Sequence, residues 1–450
     1  MGRVRLGAGW QSPATMPRRW LAAVFAGCAV FAALVAIFSS DSVHRLWGAM
    51  AACGYGLACG ALLGWRSRGR DLALGVAFCG ALLVPLAWMA AHAIEQPEVA
   101  VVAHSGATLI HHGTPYAAAA ALAGTQNPNA YNPYLPVMAL FGIPRAAGGG
   151  GALTDPRVWF GVVFLVVFWL ALRAGGARHP GRWTIAIAGS PVIAFELAVG
   201  GTDVPMVAFL CLGFGILSSG SRRGTRGERG DARSPRAGGP RKAGPRRLTA
   251  PVLAGLALGV GAAMKATAWP AVLVVIALLA VRDGKRAAGQ FTLTALAVVA
   301  VCVGPFAVVD PRALVENTIM FPLGLASVAS QASSPLPGHV IAESGHLGHA
   351  IVVVALAAAG LAVGLSLVTR PPRSVPRAVV LLAGAMTLMF VLAPSTRFGY
   401  FIYPATLILW LLAVLAARRA PDSPAMPGPG ASPARSRTMW RTSPATRPAA

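Results

Sequence analysis

The chain has 450 residues, 56% of them hydrophobic and only 12% charged, a balance that excludes a water-soluble globular surface and requires lipid as the main solvent. Its formal net charge of +24 would suit a nucleic-acid partner, but the Arg residues gather in short segments between long apolar runs and line no amphipathic face, so no nucleic acid is expected. All six cysteines (Cys28, Cys53, Cys59, Cys79, Cys211 and Cys302) fall inside apolar runs, which leaves neither a disulfide framework nor a zinc spacing.

A helix needs about 20 apolar residues to cross a hydrocarbon core of roughly 30 Å. In chain order, the runs that meet this need are 20–38, 47–65, 72–94, 158–172, 183–199, 204–217, 291–309, 350–368, 378–393 and 401–416. The first follows Arg18-Arg19 but is too long for a signal peptide and lacks a small-residue cleavage pattern, so it reads as an uncleaved span. Two shorter runs, 251–264 and 269–281, bracket Lys265 and read as a pair turning at the outer surface. The expectation is an all-α polytopic bundle of about twelve transmembrane helices.

Orientation follows from Lys and Arg, which cytoplasmic connections retain. With the N-terminus inside, alternate connections are basic: Arg66, Arg68 and Arg70; Arg173, Arg178 and Arg182; residues 222–247; Arg282, Lys285 and Arg286; Arg370, Arg373 and Arg377. The other side receives most of the acids: Asp41, Glu95, Glu98, Asp155, Glu196, Asp203, Asp310, Glu316 and Glu343. This divides the chain into a basic cytoplasmic N-terminus (1–19), a membrane domain (20–416) and a basic cytoplasmic tail (417–450). The inner loop 218–248 and the tail are rich in Gly, Pro, Ser and Arg and are expected to be disordered. Two outer loops, 95–156 and 310–349, are long enough to hold structure, the first with a short interfacial helix over 99–112 that Gly113-Thr114-Pro115 ends.

The residues able to do chemistry lie on that outer side. Glu95 and Glu98 flank Pro97 just after a span, where a carboxylate can accept a proton from a hydroxyl. Asp203 closes the turn Gly200-Gly201-Thr202-Asp203, where helix capping by Thr202 and the helix dipole would also account for it. Lys265 sits where two short spans meet, either functional or snorkelling to the interface. Arg397 stands at the start of an outer helix, the wrong end for the dipole and the disfavoured side for topology, which points to an anionic partner, a protein acid or a phosphate. The stretch Tyr131-Asn132-Pro133-Tyr134-Leu135-Pro136 offers amide, phenol and ring faces that suit either a sugar or an interfacial aromatic belt. His104, His111, His112, His339, His346 and His349 lie outside without metal-ligand spacing, so no cofactor is expected and a divalent metal is not indicated.

Four segments in this order carry a resemblance: Glu98 through His112-Gly113-Thr114-Pro115-Tyr116, the Tyr131 to Pro136 stretch, Ser190-Pro191 through Gly201-Thr202-Asp203, and Lys265-Ala266-Thr267-Ala268-Trp269. Together they resemble the GT-C class of membrane glycosyltransferases, and within it the actinobacterial polyprenol-phosphate-mannose-dependent family, glycosyltransferase family 87, over about residues 72–416. The resemblance implies a GT-C-like fold and a hexosyltransferase in the plasma membrane. Its reaction would move mannose from a polyprenyl-phosphate donor to the hydroxyl of a glycan or glycolipid acceptor on the extracytoplasmic face. It places Glu98 where the family carries a catalytic Asp, longer by one methylene, with Glu95 as the fallback and Asp203 positioning acceptor or sugar. Arg397 and Lys265 would hold the departing phosphate, and Tyr134, Asn132, Trp269 and Tyr400 would line the sugar site. Two other readings stay open on the residues alone: a transporter or flippase of lipid-linked saccharides, which internal repeats and charged midplane helices would mark, and a non-catalytic membrane scaffold.

Overall fold

The computed structural model describes residues 16–65, 68–230, 249–328 and 332–419. Helices α1 (Arg18–Phe38) and α2 (Ser42–Gly64) form a hairpin, and Asp41 caps α2 by accepting from the Val43 amide at 2.8 Å. Helix α3 (Gly69–Ala91) contains a π turn at Cys79–Leu83, where Trp47 Nε1 donates to the Ala81 carbonyl at 2.9 Å. Helix α4 (Pro97–His112) ends on Gly113 in the left-handed conformation, φ 71°. A stretch of short turns then leads to α5 (Pro156–Gly175), capped by Asp155.

Helices α6 (Pro180–Ala188) and α7 (Pro191–Val199) occupy the run 183–199, but the two are bent by 61°. Pro191 is the cause: it holds Ser190 in an extended conformation, φ −79° and ψ 154°, that no helix can continue. The chain goes on through α8 (Val204–Gly230), α9 (Ala250–Met264), α10 (Trp269–Arg282), α11 (Lys285–Val309), α12 (His346–Thr369), α13 (Val375–Leu392) and α14 (Ile402–Arg419).

All twelve apolar runs are therefore helical. Among the described residues, eight helices are long and apolar enough to cross a membrane by themselves, or nine if the bent pair counts as one span. The remaining three, Val204–Ser219 of α8, α9 and α10, fall short of that length. Helix α8 runs on to Gly230, past the start of the expected inner loop at 218. Residues 1–15, 231–248 and 420–450, which include most of the expected disordered segments, lie outside the described residues.

The bundle interior is aromatic, with Phe160, Phe164, Phe168, Phe214 and Trp410 buried where α5 packs along α8 and α14. Helices α11 and α12 bury only 6% of their apolar windows and present the rest outward, as a lipid-facing surface requires. Helix α4 is no lone surface helix: it buries Val99, Val101, Val102, Ser105 and Gly106, docking on the turn Pro136–Gly142. Every ion pair among the described residues joins groups that the Lys/Arg pattern sends to one side. Arg182 meets Asp71 at 2.9 Å on the basic side, and Arg145 meets Glu95 at 3.1 Å and Asp155 at 3.4 Å on the other.

Candidate active site at one mouth of the bundle

Four connections converge at the acidic end: the entry to α4, the α7–α8 turn, the α9–α10 break and the turn before α14. The α7–α8 turn is tight because Gly201 takes φ 20°, where a Cβ would approach the Glu196 carbonyl to 2.5 Å. It delivers Asp203, which is 7% exposed, to the Lys265 ammonium and to the Tyr403 hydroxyl, both of which reach the same Asp203 Oδ1. Lys265 is extended, φ −151°, between α9 and the short turn Ala266–Ala268. It also donates to Thr202 Oγ1 at 3.0 Å and lies 4.8 Å from the centre of the Tyr134 ring. The Thr202 hydroxyl thus serves Lys265 in this turn. A buried carboxylate is tolerable only with such partners, since an unpaired charge there would cost several kcal/mol.

The second pair joins Glu98 and Arg397. Glu98 stands in the first turn of α4, directly after Pro97, and Arg397 forms an ion pair with its Oε1. The other carboxylate oxygen, Oε2, is buried without a hydrogen-bond partner among the described residues. Arg397 precedes the turn Phe398–Phe401, so one short segment carries Arg397, Tyr400 and, at the start of α14, Tyr403. Tyr400 lies within electrostatic reach of Asp203, Arg397 and Glu196, which joins the two ion pairs into one site.

Glu95 goes elsewhere. It binds Arg145 and stands 3.9 Å from Arg157, a fully buried guanidinium that also grips Asp155 at 2.8 Å. Arg157 further donates to the Ile94 carbonyl at 2.9 Å and to the Ala198 carbonyl at 2.8 Å. These are the chain segments from which Glu98 and Asp203 depart, so the cluster acts as a clamp behind the site.

Asn132 is buried, and its amide works within the loop: Nδ2 donates to the Pro115 carbonyl at 3.0 Å and Oδ1 accepts from the Tyr134 amide at 3.1 Å. Asn317 Oδ1 accepts from the Asn132 amide at 2.8 Å, tying the first outer loop to the second. Asn132 therefore supports Tyr134, while Tyr134 itself faces Lys265 and Thr202, its hydroxyl 3.5 Å from Thr202 Oγ1. Burial pushes the Tyr134 and Tyr116 phenols well above their ordinary range, so both stay neutral, and Tyr116 donates to the Tyr134 carbonyl at 3.0 Å. Trp269 is half-buried in the first turn of α10, and Tyr400 packs on Phe390 with ring centres 5.4 Å apart.

Sequence reasoning missed Tyr403, Glu196 and the contact of Gln96 with His44. Tyr403 carries no signal beyond a phenol in an apolar run, and Gln96 Nε2 meets His44 Nε2 at 2.5 Å only through the folding of α2 against α4's entry. Glu196 did carry one: it is an acid inside an apolar run, a costly position. Among the described residues, no three His, Cys, Asp or Glu side chains converge as a metal site.

Of solved structures, ArnT from Cupriavidus metallidurans in the apo state is similar at 16% identity and a TM-score of 0.44, covering 78% of this chain and 60% of that one. The same protein bound to undecaprenyl phosphate gives 16% and 0.46, covering 79% and 61%. The apo Archaeoglobus fulgidus oligosaccharyltransferase gives 15% and 0.39, covering 77% and 50%. The chain thus spans about 60% of the length of the ArnT structures it matches. No curated protein matches it significantly. The profile of glycosyltransferase family 87 matches residues 132–394, a range that holds Asn132, Tyr134, Asp203, Lys265 and Trp269 and leaves Glu98, Arg397 and Tyr400 outside it. With more than half of its length inside that match, the chain belongs to glycosyltransferase family 87.

Proposed function

We propose that the protein transfers a hexose, mannose in our reading, from a polyprenyl-phosphate donor to a hydroxyl of a glycan or glycolipid acceptor. The mouth holding both ion pairs faces the outside of the plasma membrane, with all twelve helical runs crossing and both ends of the chain in the cytoplasm. The observation that carries this reading is the meeting of two carboxylate–cation pairs, Glu98 with Arg397 and Asp203 with Lys265, at one end of the bundle.

The chemistry is a displacement at the anomeric carbon. The acceptor oxygen attacks, the bond from the anomeric carbon to the phosphate oxygen breaks, and its electron pair leaves with the phosphate. Arg397 and Lys265 stabilise the charge that develops there. Glu98 takes the acceptor proton on Oε2, the oxygen that has no partner in the resting site. The donor phosphate competes with Glu98 for Arg397, so donor binding prepares the base. Asp203, fixed by Lys265 and Tyr403, positions the sugar, and Tyr134, Trp269 and Tyr400 line its pocket over the support that Asn132 provides.

Transfer from a radiolabelled polyprenyl-phosphate sugar in membranes tests the assignment. Glu98→Gln should lower kcat about 10²- to 10⁴-fold, as loss of a general base does, and Asp203→Asn should also depress transfer. Unchanged transfer by both variants would reject these roles, and movement of the lipid across the bilayer without a new glycosidic bond would favour a flippase.

A further inference from the structure

Gln96 occupies the N-cap position of α4, where Ser, Thr, Asp or Asn is favoured, yet its side chain makes no cap hydrogen bond. Its side-chain amide instead donates from Nε2 to His44 Nε2 at 2.5 Å. That leaves the ring proton of a neutral His44 on Nδ1, which donates to Ser39 Oγ at 3.2 Å. Ser39 Oγ also accepts from the Asp41 amide at 3.3 Å, so His44 is fastened to the turn that opens α2. The Asp41 carboxylate, 3.7 Å from His44 Nε2, lies beyond hydrogen-bond range. The other edge of the joint is aromatic: the His44 ring packs edge-on against Phe195 of α7, with centres 4.9 Å apart. One side chain of α2 thus touches both the segment that leads to Glu98 and the helix that leads to Asp203, and it lies within electrostatic reach of Arg397.

Those two segments also meet directly. The Gln96 backbone amide donates to the Val199 carbonyl at 3.0 Å, and the Gln96 side chain lies on Gly200, where a Cβ would come within 2.8 Å of Gln96 Oε1 and 3.1 Å of Gln96 Cβ. Gly200 has φ −172°, a conformation open to any residue, so a side chain there would disturb the contact with Gln96 and not the backbone. Glu98 stands two residues after Gln96, and Asp203 three after Gly200. The spacing of the two carboxylates therefore depends on this joint, and transfer needs them in register, one to take the acceptor proton and the other to hold the sugar. We propose that His44 is a positioning residue for the transfer reaction: through Gln96 it holds the Glu98 segment against the Asp203 turn, with Gly200 leaving room for the amide. The proposal rests on the glycosyl-transfer reading and adds to it a residue of the first helical hairpin that touches no substrate.

The test is steady-state transfer from undecaprenyl phosphomannose by the full chain in lipid nanodiscs, expressed per folded molecule. His44→Phe keeps a ring against Phe195 and loses the bond to Gln96. Its kcat should fall about ten- to a hundredfold, the loss expected when reacting groups shift by up to an ångström, while the donor KM stays unchanged because Arg397 and Lys265 still hold the phosphate. His44→Gln, whose amide reaches the place of Nε2, should recover most of the lost kcat. Gly200→Ala should lower kcat in the same way by displacing Gln96, and combining it with His44→Phe should add little, because both changes release the same side chain. The proposal is overturned if His44→Phe transfers as the unmodified protein does, if His44→Gln is no better than His44→Phe, if the donor KM rises in place of a fall in kcat, or if the two losses multiply in the double variant. If the unmodified protein moves no mannose, the glycosyl-transfer reading falls first and takes this one with it.

Discussion

Asp203 is held by two donors of different kinds, an ammonium and a phenol, on one oxygen. Tyr403 is fully buried and also meets the Thr267 hydroxyl at 2.9 Å, so its ring cannot swing away to solvent. Tyr403→Phe deletes both hydrogen bonds of the phenol, to Asp203 and with Thr267, and leaves the Asp203–Lys265 pair in place. Stability should fall by about 1–3 kcal/mol, read as a lower melting temperature in detergent. Transfer should fall further than stability explains, because the carboxylate loses one of the contacts that sets its direction. The charged members of the site were visible in the sequence because charges are rare and costly near lipid. Their partners were not: Arg397 and Glu98 are far apart in the chain, and nothing local tells an Arg seeking a phosphate from one already holding an acid.

At the scale of elements, hydropathy located the twelve apolar runs that are helical, since a backbone in lipid must satisfy itself along the whole run. It did not locate the break in 183–199, where composition is uniformly apolar and only the geometry imposed by Pro191 divides α6 from α7. Nor did it find the clamp built by Glu95, Arg145, Asp155 and Arg157, which depends on three separate connections meeting. Arg157 is its centre. Arg157→Ala leaves Asp155 with Arg145 alone and strips donors from the Ile94 and Ala198 carbonyls, and should cost about 3–5 kcal/mol of stability. Arg157→Lys should recover only part of that, because an ammonium cannot span the same fork of acceptors. Thermal unfolding of the two variants checks both the size and the order.

For the whole molecule, the alternation of basic and acidic connections predicts which loops share a side, and the ion pairs agree with that grouping. Its absolute direction is open to a direct measurement. Single cysteines at His112→Cys and Glu343→Cys should react with an impermeant maleimide on intact cells, whereas His179→Cys and Arg373→Cys should react only after permeabilisation. The reverse pattern would turn the mouth toward the cytoplasm and remove the topological part of the proposed function.

Asp203 and Lys265 both stand at the tips of short helices. At 1.5 Å per residue, α9 and α10 with 15 and 14 residues reach only about 21–22 Å, against roughly 30 Å of hydrocarbon. With Arg282 anchoring the far tip of α10 at a polar boundary, the deficit falls at the Lys265 tip. In the proposed arrangement the wall of the bundle would be notched there, with Lys265 and Asp203 sunk below the surface of the membrane. Under the proposed function, a phosphate already tethered to a membrane tail would meet them sideways, without first being lifted into water.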